Sequence, residues 1–313
     1  MAYSQGGLIE ATDYNNFING SNQLNTVWST GSGNAGYGQT AVSTVSVAGT
    51  VTATQWATLI NTLNSTLTHQ AGSGSGISAV TSGQLINHLS TLATNINTAY
   101  TNRLNAATTG TNQTGSALAY AEWTVTASQG VDPGTATRSF GARASFSSGD
   151  SARYFFNSGG QLRFNISATS SGTARSTAAQ NLVDYLGGVS VFKTTTNNGR
   201  TGTGGTLNTN NTALGYYNVT TANTNIVSVT SVTTNYTSDT GSIAVRTNGT
   251  QGSNSDNGSV VDFWATINST SGGNAGGSFD DNLNLTVTVS VDVLYPETTN
   301  LTNSWGTVTI TQL

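Results

Sequence analysis

Apolar residues recur at two different periods along the 313 positions of this chain, and the change of period divides it. In the first third they fall three and four apart, the spacing that puts side chains on one face of a helix. Three segments share this design. The first runs Gly7-Leu8-Ile9-Glu10-Ala11-Thr12-Asp13-Tyr14-Asn15-Asn16-Phe17-Ile18-Asn19, with Tyr14 and Phe17 on its apolar side. The second runs from Val51 to Asn64, and Trp56, Leu59, Ile60, Leu63 and Leu67 form its stripe. The third opens at Gly76 and continues through Leu85, Leu89, Leu92, Ile96, Tyr100 and Leu104, with Thr81 and Gln84 at the spacing of a reciprocal helix cap. Ser or Thr near each start can accept bonds from the free amides of a first helical turn, so each segment reads as a capped helix. Their uneven spacing predicts a small helical repeat domain over residues 1–110 rather than a long solenoid.

Beyond the small, polar stretch from Thr108 to Gly115, a candidate hinge, the period falls to two. Glu122 to Thr126, Arg163 to Ser167, Asn225 to Val232, Ser242 to Arg246, Leu283 to Val293 and Gly306 to Thr311 alternate apolar and polar residues, as half-buried strands do. One helix is expected inside this region, over Thr177 to Leu186 before Gly187-Gly188. The polar run from Thr194 to Asn211 reads as a surface loop or an arm ordered by a neighbouring subunit. The fold class that follows is α+β: the N-terminal helical repeat domain, then a mostly antiparallel, β-sandwich-like domain over residues 118–313.

Composition and the lack of long apolar runs change this picture. Charged residues make up 7% of the chain, with 9 basic against 13 acidic side chains and a net charge of -4, so no basic surface exists for a nucleic acid backbone. Ser, Thr and Asn supply about two residues in five, which makes a polar, nearly neutral surface with little charge repulsion between copies. There is no cysteine, which removes disulfides, thiolate metal ligands and cysteine nucleophiles. No apolar run approaches the eighteen residues of a membrane span, and the first residues lack the basic and apolar segments of a secretion signal.

Candidate chemistry is sparse. Gly31-Ser32-Gly33-Asn34-Ala35-Gly36 matches the glycine spacing of a dinucleotide-binding turn, but that turn needs a strand before it and a helix after it, and neither is expected here. His69 and His88, the two imidazoles, lack an acidic cluster and a same-helix partner, so a cap, a surface position or core-edge packing is the expected role and no metal or cofactor is expected. Asp280 and Asp281 are adjacent, which on a strand points them to opposite faces; Asp132 and Asp150 could join them only through tertiary contact. The aromatic residues Trp123, Trp264 and Trp305 read as anchors of a sandwich core or a subunit interface, with stacking on a glycan as the alternative. Packing or interface residues expected from the pattern are therefore Tyr14, Phe17, Trp56, Leu59, Leu63, Leu89, Trp123, Trp264 and Trp305, with no catalytic residue among them.

Four stretches carry a resemblance: Gly7 to Phe17, Trp28-Ser29-Thr30-Gly31-Ser32-Gly33-Asn34-Ala35-Gly36-Tyr37-Gly38-Gln39, Thr52 to Asn61, and Ala152-Arg153-Tyr154-Phe155-Phe156-Asn157-Ser158-Gly159-Gly160-Gln161-Leu162-Arg163-Phe164. Together they resemble a family of tailed-bacteriophage virion structural proteins common among marine and cyanobacterial phages. The resemblance implies assembly in the host cytoplasm into the virion, with other virion proteins and further copies of the chain as partners. It implies a tail, baseplate or fibre-associated adaptor; a head decoration protein, a binder of host surface glycan and a tail-associated depolymerase are the alternatives.

Overall fold

The computed structural model describes residues 10–103, 109–113, 118–119, 123–125, 134–200, 202–251, 257–270 and 282–313. Four helices come first: α1 (Ala11–Ile18), α2 (Leu24–Trp28), α3 (Ala53–Ala71) and α4 (Leu89–Asn102). Helix α3 starts where its sequence predicts. The Thr52 hydroxyl accepts from the Gln55 amide while the Gln55 side chain accepts from the Thr52 amide, and Gly72, in the left-handed region at φ 75°, ends the helix. Its stripe of Trp56, Leu59, Ile60 and Leu63 is buried against Tyr14, Phe17, Ile18, Leu24, Leu92 and Ile96, which forms one apolar core; Leu89 packs at its margin.

The third predicted helix is shorter than its pattern. Residues 76–88 are not helical, and α4 begins only at Leu89. Thr81 and Gln84 do meet, the Thr81 amide donating to the Gln84 side chain at 2.8 Å, yet they close an isolated turn. Gly83 stands at φ +85°, which diverts the backbone and leaves Leu85 exposed. Leu104 lies outside the described residues, as do Gly7, Leu8 and Ile9 of the first motif.

The β part begins with β1 (Thr109–Gln113), which is paired to a sheet where the sequence suggested a hinge. It continues through β2 (Leu118–Ala119), β3 (Trp123–Val125), β4 (Ala136–Ser145), helix α5 (Gly149–Asn157), β5 (Gln161–Ser170), helix α6 (Ala174–Leu186), β6 (Gly188–Val191), β7 (Thr196–Gly199) and β8 (Gly205–Asn210). After a single turn of 3-10 helix at Tyr216–Asn218 come β9 (Thr224–Ser231), β10 (Thr240–Thr247), β11 (Val260–Ser269), β12 (Leu283–Pro296) and β13 (Thr309–Gln312).

These strands form two antiparallel sheets among the described residues. One has the order β1-β12-β5-β6-β7, with β2 and β3 also on β12; the other has the order β13-β4-β11-β10-β9-β8. The sheets face each other through the alternating positions of their strands. Leu285, Val287, Val289 and Val291 point inward from one side and Phe140, Ala142, Phe263 and Ala265 from the other, and Phe164 stacks on Phe263 at 5.4 Å between ring centres. Helix α6 contacts strands of both sheets and buries Ala178, Ala179, Leu182, Val183 and Leu186, then stops at Gly187 as expected.

The run from Thr194 to Asn211 differs from its expectation. It supplies two strands of this chain's own sheets, β7 and β8, rather than a loop or an arm awaiting a neighbour. They are edge strands, so their backbones pair on one side only and need no alternating apolar residues. Thr196 donates its amide to the Thr212 carbonyl and Asn198 donates to Asn210, which links the edges of the two sheets.

Candidate functional site

A buried polar arrangement lies where the helices meet the sandwich, and it grows from the glycine-rich turn. Gly31, Gly33 and Gly36 have φ values of 53°, 58° and 102°, so the chain curls back on itself between α2 and Tyr37. A Cβ on Gly36 would stand 2.2 Å from the Thr30 carbonyl oxygen, which restricts that position to glycine. The turn directs carbonyls at the β part. Asn157 donates to the carbonyls of Gly33 and Gly36, each at 3.1 Å, Arg153 donates to that of Ala35 at 2.9 Å, and Tyr217 donates to that of Gly33 at 2.7 Å. A phosphate site requires amide groups that point outward. Here the amides of Ala35, Tyr37 and Gly38 bond to Ser32, Val27 and Ser29 of the same segment. The turn is a joint between the helical part and the sandwich.

Helix α5 supplies the other half. Ser148 caps it by accepting from the Ser151 amide, which orients Arg153 and Asn157 toward the joint. Arg153 is 1% exposed; Asp150, one turn earlier, accepts from it at 3.1 Å and keeps the buried cation paired. Phe155 and Phe156 on the same helix enter the sandwich core, so α5 ties that core to the joint.

Two further contacts run alongside. Gln39 donates to the Thr302 carbonyl and accepts from the Thr302 amide and hydroxyl, while Ser304 donates to the Tyr37 carbonyl. His69, in the last turn of α3, is wholly buried between the Glu297 carboxylate at 2.7 Å and the Ser158 carbonyl at 3.1 Å, with Tyr37 edge-on at 5.2 Å. Burial lowers the imidazole pKa, and the hydrogen bond and charge of Glu297 oppose that shift. Burial also acts to raise Glu297, but bonds from His69, Asn300 and Thr299 outweigh it and hold the carboxyl below its usual range. His88, by contrast, is an exposed residue at the start of α4.

Lys193 closes the joint by donating to the Arg103 carbonyl. Burial, reinforced by the Arg103 charge, pulls its amine from an ordinary 10.5 to about 7. Because the folded value lies below the unfolded one, the unfolded chain holds a proton that the folded chain has released between about pH 7 and 10.5, so stability rises with pH across that window. Replacing Lys193 with Met should remove this slope. The stability gained between pH 7 and pH 9.5, measured by urea denaturation, should shrink by roughly 1–3 kcal/mol relative to the parent. An unchanged slope would mean that Lys193 is solvated in the folded state.

The remaining sequence candidates are dispersed. Trp123 and Trp305 are buried in the sandwich core, Trp123 edge-on to Phe140, whereas Trp264 lies half-buried on a sheet surface. Asp132, Asp280 and Asp281 fall outside the described residues, and Asp150 serves Arg153. Among the described residues no group of three or more His, Asp or Glu could hold a metal ion, and no helix is long and apolar enough to cross a membrane. A groove of about 470 Å³ between the α1–α2 turn and α4 has Phe17 and Ile96 beneath Asn16, Gln23, Ser90 and Asn97, and no ionisable side chain lines it.

The sequence signals for the joint were the glycine turn and the Arg153 to Asn157 segment, both conspicuous but without any indication that they meet. The architecture defines a two-part α+β protein: a small helical core seated through buried polar contacts on an antiparallel sandwich. No family model, curated protein or solved structure matches the chain.

Proposed function

We propose that this chain is a structural component of a phage virion, a tail, baseplate or fibre-associated adaptor that works through protein–protein contacts as a homo-oligomer and catalyses no reaction. The observation that carries the reading is the joint. Arg153, Asn157, Gln39 and His69, all buried, fix the helical part to the sandwich, so a surface on one part keeps its orientation to a surface on the other. An adaptor transmits position and load in this way, whereas an enzyme needs converging reactive groups in an accessible cleft. The resemblance of the joint's own segments, Trp28 to Gln39 and Ala152 to Phe164, to phage virion proteins supports the same reading. So does a surface of low charge, which permits copies to meet across wet, polar contacts.

Antibody labelling of purified particles, viewed by electron microscopy, tests the placement. Label on the tail or baseplate is expected. Label over the head would replace this placement with head decoration, and particles without the chain would overturn the virion role.

A further inference from the structure

The outer face of the six-stranded sheet has a composition that neither the core nor the joint explains. Antiparallel register places Gly141, Trp264 and Ala244 side by side across β4, β11 and β10, with Arg143, Asp262 and Arg246 as the next row. The neighbouring strand positions, Phe140, Phe263 and Val245 among them, point into the core, so these two rows face outward. On the other side of Trp264, a row of Ser139, Thr266 and Ser242 adds hydroxyls, with Ser139 and Thr266 bonded to each other at 2.8 Å.

Each row is built in a particular way. Trp264 has a glycine and an alanine as cross-strand neighbours, and a Cβ on Gly141 would come within 2.7 Å of the indole carbons Cε3 and Cζ3. The ring therefore lies across bare backbone and is partly buried, its Nε1 wholly so. Beside it, Asp262 is 3% exposed and receives Arg143 through Nε at 2.7 Å and Nη2 at 2.9 Å, and Arg246 through Nε at 3.1 Å. One carboxylate thus holds two guanidinium groups, each 37% exposed, so the row carries two positive charges and one negative on a chain of net charge -4. The Arg246 guanidinium carbon stands 5.9 Å from the Trp264 ring centre.

We propose that this face binds an acidic saccharide, with a pyranose ring stacked on Trp264 and its carboxylate taken by Arg246 and Arg143. A sugar ring offers an apolar C–H face to an aromatic ring, and hydroxyls at its edge to the Ser and Thr row. A planar guanidinium held by Asp262 keeps its outer N–H groups in the geometry that a carboxylate accepts. The excess positive charge selects an acidic sugar over a neutral one. This inference goes beyond the adaptor role, and its test on the isolated chain stands or falls separately from location in a virion.

Isothermal titration of the full chain with a galacturonate hexamer at low salt, beside maltohexaose and hexaglutamate, tests it. The uronate should bind, and binding should weaken as salt rises. Trp264→Ala and Arg246→Gln should each weaken it at least about tenfold. Arg246 is partly exposed, so Arg246→Gln is expected to keep its melting temperature and remains informative should Trp264→Ala unfold. No uronate binding, equal binding of maltohexaose or hexaglutamate, or parent-like affinity in a folded Arg246→Gln would overturn the proposal.

Discussion

Truncating Trp56 to Ala is expected to cost about 3–5 kcal/mol of stability, as large aromatic-to-alanine changes in packed cores do. Trp56 is 2% exposed at the centre of the helical core, edge-on to Tyr14 at 5.2 Å and to Phe17 at 6.1 Å. Neighbouring positions cannot close the space. Tyr14 is held by its hydroxyl bond to the Gln55 carbonyl, and Leu59 and Leu63 are already buried on the same helix face. Trp56→Phe retains a ring and should lose about half as much. Urea denaturation followed by circular dichroism measures both. A loss below about 1 kcal/mol for Trp56→Ala would contradict the packing of α3 against α1.

Arg153→Ala is the second large effect, expected at about 3–5 kcal/mol. The substitution leaves the Ala35 carbonyl without its donor, removes a partner of Asp150 and empties a volume at the centre of the joint. Asp150 is 28% exposed and can turn to water, so the orphaned carbonyl and the void dominate the cost. Arg153→Met separates these two: it fills the void, leaves the carbonyl unpaired, and should recover part of the loss. Differential scanning calorimetry should show the helical part melting ahead of the sandwich in Arg153→Ala. A single transition at the parental temperature would show that the joint does not depend on Arg153.

The elements that could be read in the sequence are those whose own residues decide them. Helix α3 carries its cap at Thr52 and Gln55, its stop at Gly72 and its full stripe within twenty-one residues. The long strand β12 alternates without a break from Leu283 to Val293. Where a local signal competed with a backbone requirement, the pattern misled: Thr81 and Gln84 have cap spacing, but Gly83 between them adopts a left-handed conformation and the helix waits until Leu89. Strands β7 and β8 escaped notice because edge strands of Asn, Thr and Gly are stabilised through the backbone and carry no period of two.

The joint was illegible for a different reason. Its bonds connect residues 89 to 267 positions apart, such as His69 with Ser158 and Ser304 with Tyr37, and a single sequence holds no record of such pairings. The glycine turn was recognisable as a turn. That its carbonyls would be received by Asn157 and Arg153 required the fold. Trp264 was likewise grouped with Trp123 and Trp305, and only the register of β4, β11 and β10 separates the surface indole from the two buried ones.

The proposed adaptor holds two differently built parts in a fixed relation within an assembled particle. A cryo-electron microscopy map of the intact virion tests it most directly. The map should contain several symmetry-related copies in the tail, baseplate or fibre, each with Arg153 and Asn157 seated on the Gly31 to Gly36 turn as they are here. Copies in which the helices have left the sandwich, or a single copy whose described face encloses a cleft of converging carboxylates around a substrate, would contradict it.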